Sequence, residues 1–302
     1  MGHDHEHHEE PTAPGRAFAL GIALNVGFIV VEAVFGVLAH STALLADAAH
    51  NTSDVLGLGL AWGASVLARR RPSLRHTYGL RASTVLAALT NAVLLLVAVG
   101  GVAWEAIRRF GDPGSVEGAT VLTVAAAGVV INAASALLFL AGRKRDVNVR
   151  AAFVHLAADA GVSLGVVVAG AVIWRTGWSW VDPAASLAIS LVVLVGTWEL
   201  LQEALHLALA GVPEHISFVE VEEYLRNLPG VAEVHDLHIW PMGTTEVALT
   251  AHLIMTWPVE PPAFLGELEH ELRDRFGVHH ATVQVEPLRE GAACTLAPGD
   301  VV

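Results

Sequence analysis

Long apolar stretches alternate with short polar segments over the first 210 residues of the 302-residue chain. One helical crossing of a hydrocarbon core needs about 20 predominantly apolar residues. Six stretches reach that length, at roughly 17–38, 43–68, 82–105, 117–141, 151–174 and 180–209. The pattern therefore predicts an α-helical membrane domain with six transmembrane helices, over residues 16–210.

After residue 210 the pattern becomes that of a soluble domain. Residues 217–228 mix apolar and acidic positions at helical spacing. Strand-like runs follow at about 231–240 and 245–256, then an amphipathic helix at about 262–276 and a last strand at about 280–286. The order α-β-β-α-β predicts a small α+β domain over residues 211–288, with its helices on one sheet face. Residues 1–15 form a tail rich in His and acidic residues, and we expect residues 289–302 to be disordered.

Composition supports a membrane protein with an acidic soluble part. The chain is 54% hydrophobic and 16% charged, whereas soluble domains carry about 25% charged residues. Residues 212–302 hold 15 acidic residues against 4 Lys and Arg. This charge argues against nucleic acid as a partner and suits a domain that meets divalent cations. The single cysteine excludes an intrachain disulfide and a cysteine-based zinc site.

The Lys and Arg residues of the membrane domain predict its orientation. Cytoplasmic loops carry an excess of these residues. Ten fall before the first stretch, between the second and third, and between the fourth and fifth, against three on the opposite side. The distribution predicts a multi-pass inner-membrane protein with both termini in the cytoplasm.

Two H-x-x-x-D pairs lie inside the apolar stretches, His50 with Asp54 and His155 with Asp159. In a helix, each pair lies one turn apart on the same face. Ionisable groups at membrane depth are costly and usually functional. Two imidazoles and two carboxylates make a complete shell for a tetrahedral Zn²⁺-like ion. We interpret the four residues as a metal site, the alternative being helix-end residues or polar contacts within a bundle.

Two further acidic residues lie within the apolar stretches. Asp47 precedes His50 by three residues and shares its helical stripe. We expect Asp47 to orient His50 or to pass protons, and a role as a metal ligand is the alternative. Glu32 is costly to bury and either borders the cation path or serves only packing.

Histidines also concentrate in the soluble domain. His235 and His238 lie in the run VHDLHIW, His252 in the second predicted strand, and Glu286 at the end of the last. Residues from adjacent strands can converge on a metal, and His235, His252 and Glu286 are the best candidates for a cytoplasmic site. Satisfied surface or interface histidines are the alternative. The His-rich tail is expected to bind Zn²⁺-class ions loosely, unless it is an expression tag.

Four motifs resemble those of the cation diffusion facilitator family of metal/proton antiporters, close to its bacterial zinc-exporting branch. They are LLADAAHNTSD, DVNVRAAFVHLAADAGVS, VDPAAS and VHDLHIW. The resemblance implies six membrane helices, a metallochaperone-like, ferredoxin-like cytoplasmic domain, and a homodimer. It places a transport site on His50, Asp54, His155 and Asp159.

The resemblance also implies a cytoplasmic site on His235, His252 and Glu286. One ligand of the family falls at Gln284, which weakens or remodels that site. A loop site found in some members needs a histidine where this chain has Leu80, so we do not predict that site.

The predicted function is export of Zn²⁺ from the cytoplasm by proton-coupled, alternating-access antiport. Histidine binds metal when neutral, so metal binding expels protons and protonation expels metal. Cd²⁺, Co²⁺ or Fe²⁺ remain open as cargo. The alternatives are a passive zinc channel and a metal sensor. An intramembrane metallohydrolase needs an open coordination position and a general base, and no H-E-x-x-H is present, so we predict no enzyme.

Overall fold

Six long helices lie on the six predicted apolar stretches. The computed structural model describes residues 14–112, 114–139, 147–256 and 261–288. The helices are α1 Pro14–Leu38, α2 Thr42–Ala68, α3 Ser83–Gly111, α4 Gly118–Phe139, α5 Val147–Thr176 and α6 Val181–Ala208. The C-terminal tail and residues 1–13 of the His-rich tail lie outside the described residues, so the predictions for them stay predictions.

Within the described residues, four helical segments are long and apolar enough to cross a membrane. They are Ser83–Gly111, Gly118–Leu137, Leu156–Thr176 and Val181–Ala208, and Asn25–Leu38 forms a shorter apolar helix. Helix α2 has 27 residues and includes Asp47, His50 and Asp54, whose ionisable side chains lower its mean hydropathy. The mostly helical membrane architecture is the predicted one.

The described chain divides into two compact units. The first unit consists of the chain up to Leu58 together with Val93–Trp198. The second consists of Gly59–Ala92 together with the chain from Glu199 onward.

In the first unit, glycines bring α4 and α5 together. A Cβ at Gly118 would lie 2.4 Å from the Trp174 nitrogen, and one at Gly170 would lie 2.7 Å from the Leu122 nitrogen. Small residues allow this close backbone approach, as is common between membrane helices.

The second unit contains the predicted α+β elements in the predicted order. They are α7 Phe218–Arg226, β1 Val231–Pro241, β2 Val247–Met255, α8 Pro261–Phe276 and β3 Val278–Pro287. The sheet order is β1-β2-β3, with β1 antiparallel and β3 parallel to β2. A parallel pair needs a crossover connection, and α8 lies in the one between β2 and β3.

One apolar core joins both helices of this domain to the sheet. Leu225 of α7 and Leu272 of α8 are fully buried together with Leu249 and Leu253 of β2. Ser217 caps α7, since its Oγ accepts a hydrogen bond from the Glu220 N–H at 3.3 Å. The sheet that carries His235, His252 and Glu286 is therefore well anchored.

Candidate metal centres

The first unit brings together His50 and Asp54 of α2 and Asp159 of α5. His50 Nε2 lies 3.8 Å from Asp54 Oδ2 and 3.3 Å from Asp159 Oδ1. One ligand atom of each residue lies within 4.8 Å of the others. Bonds of about 2.0–2.2 Å to a tetrahedral Zn²⁺ separate ligand atoms by roughly 3.3–3.6 Å. The three side chains are thus close to the spacing of metal ligands.

Helix geometry accounts for this cluster. His50 and Asp54 lie one turn apart on α2, as their spacing predicted. Asp159 is buried, and His155 lies one turn before it on α5. The side chain of His155 lies outside the described residues, so its part in the cluster stays a prediction.

Asp47 and Glu32 are fully buried beside this cluster. Asp47 Oδ2 accepts a hydrogen bond from Ser163 Oγ at 2.9 Å, and Glu32 Oε2 accepts one from Asn51 Nδ2 at 3.3 Å. Electrostatic interactions link Asp47 to His50 and Asp159. The roles predicted for Asp47 and Glu32 stay predictions.

Asp182, in the VDPAAS motif at the start of α6, holds the beginning of α2. Its buried carboxylate accepts hydrogen bonds from the Thr42 N–H at 2.6 Å and the Thr42 hydroxyl at 2.7 Å, and also from the Ser41 hydroxyl. A carboxylate at a helix N-terminus satisfies unpaired N–H groups and complements the helix dipole. Sequence reasoning quoted the motif but missed this role, which depends on a contact between residues 140 positions apart.

The second unit brings together His235, His252 and Glu286. Glu286 Oε1 lies 2.9 Å from His252 Nδ1 and 3.9 Å from His235 Nε2. One ligand atom from each of the three residues lies within 4.8 Å of the others. Neither ring nitrogen of buried His235 has a hydrogen-bond partner among the described residues. Because a buried imidazole without partners is costly, this residue set fits a metal ion.

Strand register places the cluster across all three strands. His235 of β1 pairs with His252 of β2, which pairs with Gln284 of β3. Gln284 Nε2 donates to Glu286 Oε1 at 2.9 Å. At the place where the resemblance implies a ligand, the chain therefore has an amide that orients the carboxylate.

Asp236 is a member of this neighbourhood that sequence reasoning missed. The register slips between His235 and His238, and Asp236 has a positive φ of 51°. Asp236 Oδ2 lies 3.5 Å from His252 Nε2, and Oδ1 lies 2.9 Å from His238 Nε2. A β-bulge re-aims side chains, and the left-handed conformation suits Asp better than most residues. Strict alternation would have placed Asp236 on the face opposite His235.

Two family models match the chain. The model for the cation efflux transmembrane domain matches residues 18–207, and that for the cation efflux protein cytoplasmic domain matches residues 213–288. The chain belongs to the cation efflux family. This is the family, also called the cation diffusion facilitators, that the four motifs indicated.

Named relatives agree with this assignment. This cation efflux protein is 37% identical to "Zinc transporter ZitB" of Escherichia coli over 95% of the chain and 93% of the relative. It is 32% identical to the "Cadmium, cobalt and zinc/H(+)-K(+) antiporter" of Bacillus velezensis, over 95% and 92% respectively. The metal-bound C-terminal domain of the CzcD transporter from Cupriavidus metallidurans is 38% identical, with 24% of this chain and 99% of that chain covered and a TM-score of 0.22.

Family membership confirms several of the predictions. The protein is a multi-pass inner-membrane transporter that exports divalent metal cations, and it is not an enzyme. Its soluble part matches a dimerisation domain, which fits the predicted homodimer.

Proposed function

We propose that this cation efflux protein exports Zn²⁺ from the cytoplasm in exchange for protons, through His50, Asp54, His155 and Asp159. The observation that carries the proposal is the convergence of His50, Asp54 and Asp159 from two helices of the matched transmembrane domain. One relative is named a zinc transporter and another a cadmium, cobalt and zinc/H(+)-K(+) antiporter, and these names support both the cargo and the coupling.

The chemistry of the ligands supplies the exchange. A histidine binds zinc through a neutral nitrogen, so zinc capture releases protons and proton entry weakens zinc binding. The carboxylates of Asp54 and Asp159 bring two negative charges that balance the charge of the cation. Competition between protons and cation at the same atoms then drives export when the site faces each side in turn.

Zinc uptake into proteoliposomes tests this proposal. The protein is inserted with its cytoplasmic side facing outward into vesicles that contain an acidic buffer, and zinc is added to the outer solution. The unsubstituted protein should take up zinc faster as the gradient steepens, and Asp54→Ala/Asp159→Ala should abolish uptake. A control, Glu117→Ala/Asp274→Ala, removes two exposed carboxylates and should transport normally.

The outcomes separate the alternatives. If the rate of zinc uptake by the unsubstituted protein did not depend on the pH gradient, the protein would be a passive channel. Gradient-driven uptake that survives in Asp54→Ala/Asp159→Ala would retain antiport but refute the ligand assignment. Cd²⁺, Co²⁺ and Fe²⁺ added in place of zinc would rank the cargo ions.

We propose that His235, His252 and Glu286 bind zinc in the cytoplasm and that occupancy of this site regulates transport by the dimer. The unpartnered ring of His235 supports binding. In His235→Ala/His252→Ala, the dependence of rate on zinc concentration should change while transport persists. An unchanged KM and maximal rate at all zinc concentrations would refute the regulatory role.

We also propose that both termini lie in the cytoplasm. The location of the C-terminus can be tested by labelling Cys294, which lies near it and is the single cysteine of the chain. A membrane-impermeant thiol reagent should label Cys294 only after the cells are permeabilised. In a Cys294→Ser background, Ser115→Cys places a thiol at an exposed position between α3 and α4, which should be labelled in intact spheroplasts. The reverse pattern would invert the orientation.

A further inference from the structure

Two fully buried carboxyl groups lie close together next to the transport cluster. Glu32 of α1 and Asp47 of α2 are both 0% exposed. Each has one oxygen with a donor: Asn51 Nδ2 donates to Glu32 Oε2 at 3.3 Å, and Ser163 Oγ donates to Asp47 Oδ2 at 2.9 Å. The donors come from α2 and α5, so three helices enclose the pair.

The second oxygen of each carboxyl lacks a donor group. Glu32 Oε1 and Asp47 Oδ1 are buried without one among the described residues. The two carboxyl groups are, however, close enough to interact electrostatically, and Asn51, which donates to Glu32, lies one turn after Asp47 on α2. An ionised carboxylate only accepts hydrogen bonds, so two ionised groups would leave both of these buried oxygens without a donor. A proton on one of the two groups supplies the missing donor. Two adjacent buried carboxyls that share one proton also avoid the repulsion between like charges.

No permanent positive charge among the described neighbours stabilises a second negative charge on the two carboxyl groups. Within the described chain, the titratable groups that act on Asp47 are Glu32 from α1, His50 from α2 and Asp159 from α5. None of them carries a permanent positive charge, and the groups that act on Glu32 are Asp47 and Asn51. Asp47 lies three residues before His50, and its described hydrogen bond comes from Ser163 rather than from a residue of the cluster.

We propose that Glu32 and Asp47 form a proton-binding site, which holds one proton in the cation-free protein and releases it when the divalent cation binds. The inference deepens the proposed proton-coupled export and rests on it. A cation at His50 and Asp159 adds two positive charges close to Asp47, which favours a second negative charge on the pair. The shared O–H bond breaks, its electron pair stays on the carboxylate oxygen, and the proton leaves to water.

The number of protons released per zinc ion tests the inference. The full-length protein with His235→Ala/His252→Ala, which removes the cytoplasmic cluster, is titrated with zinc in lipid nanodiscs by calorimetry. Buffers with different ionisation enthalpies at one pH give the proton count. Glu32→Gln in this background should release about one proton fewer, because the glutamine N–H replaces the shared proton and cannot dissociate.

Two matched variants complete the design. Asp47→Asn should show the same deficit of one proton, and Glu117→Gln, which changes an exposed carboxylate, should show none. An unchanged count in Glu32→Gln and Asp47→Asn would overturn the inference but leave proton coupling intact. Release of no protons in the background protein would instead contradict the proposed antiport.

Infrared spectroscopy keeps the inference testable if the variants do not fold. The cation-free unsubstituted protein should show the carbonyl band of a buried protonated carboxylic acid, and zinc should remove it. Absence of the band before zinc is added, or its persistence afterwards, would refute the proton site. In folded Glu32→Gln the band should be missing from the start.

Discussion

The two candidate metal clusters differ in their acidic surroundings and in the elements that carry them. The cluster of the first unit combines His50 with Asp54 and Asp159, and the buried carboxyls of Glu32 and Asp47 lie beside it. The cluster of the second unit combines two histidines with Glu286 and lies on a sheet. Carboxylate ligands with two further buried carboxyl groups beside them suit a site at which protons replace the cation and the cation replaces protons. Two histidines fixed by strand pairing suit a site that holds a metal.

The strongest test of this difference replaces one carboxylate in each cluster. Asp159→Ala removes a buried carboxylate from the transport site, and we expect the initial rate of zinc uptake to fall by at least about 100-fold, since even residues that only support metal ligands contribute 10–100-fold. Glu286→Ala should retain uptake at saturating zinc. Similar losses in both variants would show that the two clusters do not differ in role.

Removal of the Asp182 cap should show how much the anchoring of α2 contributes to stability. Asp182→Ala leaves the N–H of Thr42 and two hydroxyl groups without their buried acceptor. We expect a loss of about 2–3 kcal/mol in unfolding free energy. Thermal unfolding in detergent measures it as a lower Tm, with exposed Asp112→Ala as the control. Equal Tm values would mean that the cap contributes nothing.

The cytoplasmic cluster should gain affinity from a histidine at position 284. Gln284→His adds an imidazole beside His252, and we expect zinc affinity to rise by about 30-fold, within the range for residues around a metal. Calorimetry in an Asp54→Ala/Asp159→Ala background isolates this site. Thr282→His places a histidine on the same strand face, opposite Thr250, and should not have this effect. An equal gain in both would exclude a role for the position.

The smallest change is expected at the bulge. Asp236→Asn keeps the left-handed backbone, which Asn tolerates, but removes the charge that faces His252 and His238. Zinc affinity of the cytoplasmic cluster should fall by about tenfold. Asp274→Asn, which changes an exposed carboxylate bonded to His270, is the matched control. If Asp236→Asn binds zinc as tightly as the unsubstituted protein, Asp236 does not support the site.

Local periodicity made much of this protein predictable. The six long helices and the order α-β-β-α-β follow from apolar patterns within each segment. His50 and Asp54 share a helix face because four residues span about one turn of an α-helix. The pairing of these residues with Asp159 was inferred from two equal spacings, and His155 remains a prediction for its side chain. Asp236 could not be inferred, since it departs from strand alternation.

The sequence by itself determined the membrane class of the protein, the elements of its soluble domain and the residue types able to bind a cation. Only the tertiary structure decided that Asp182 caps α2, that Glu32 meets Asp47, and that a bulge turns Asp236 toward His252. The physical reason is the distance along the chain between the residues that determine each feature. Helical and strand periods are set by neighbouring residues, whereas caps, carboxyl pairs and strand register depend on packing between segments far apart in the chain.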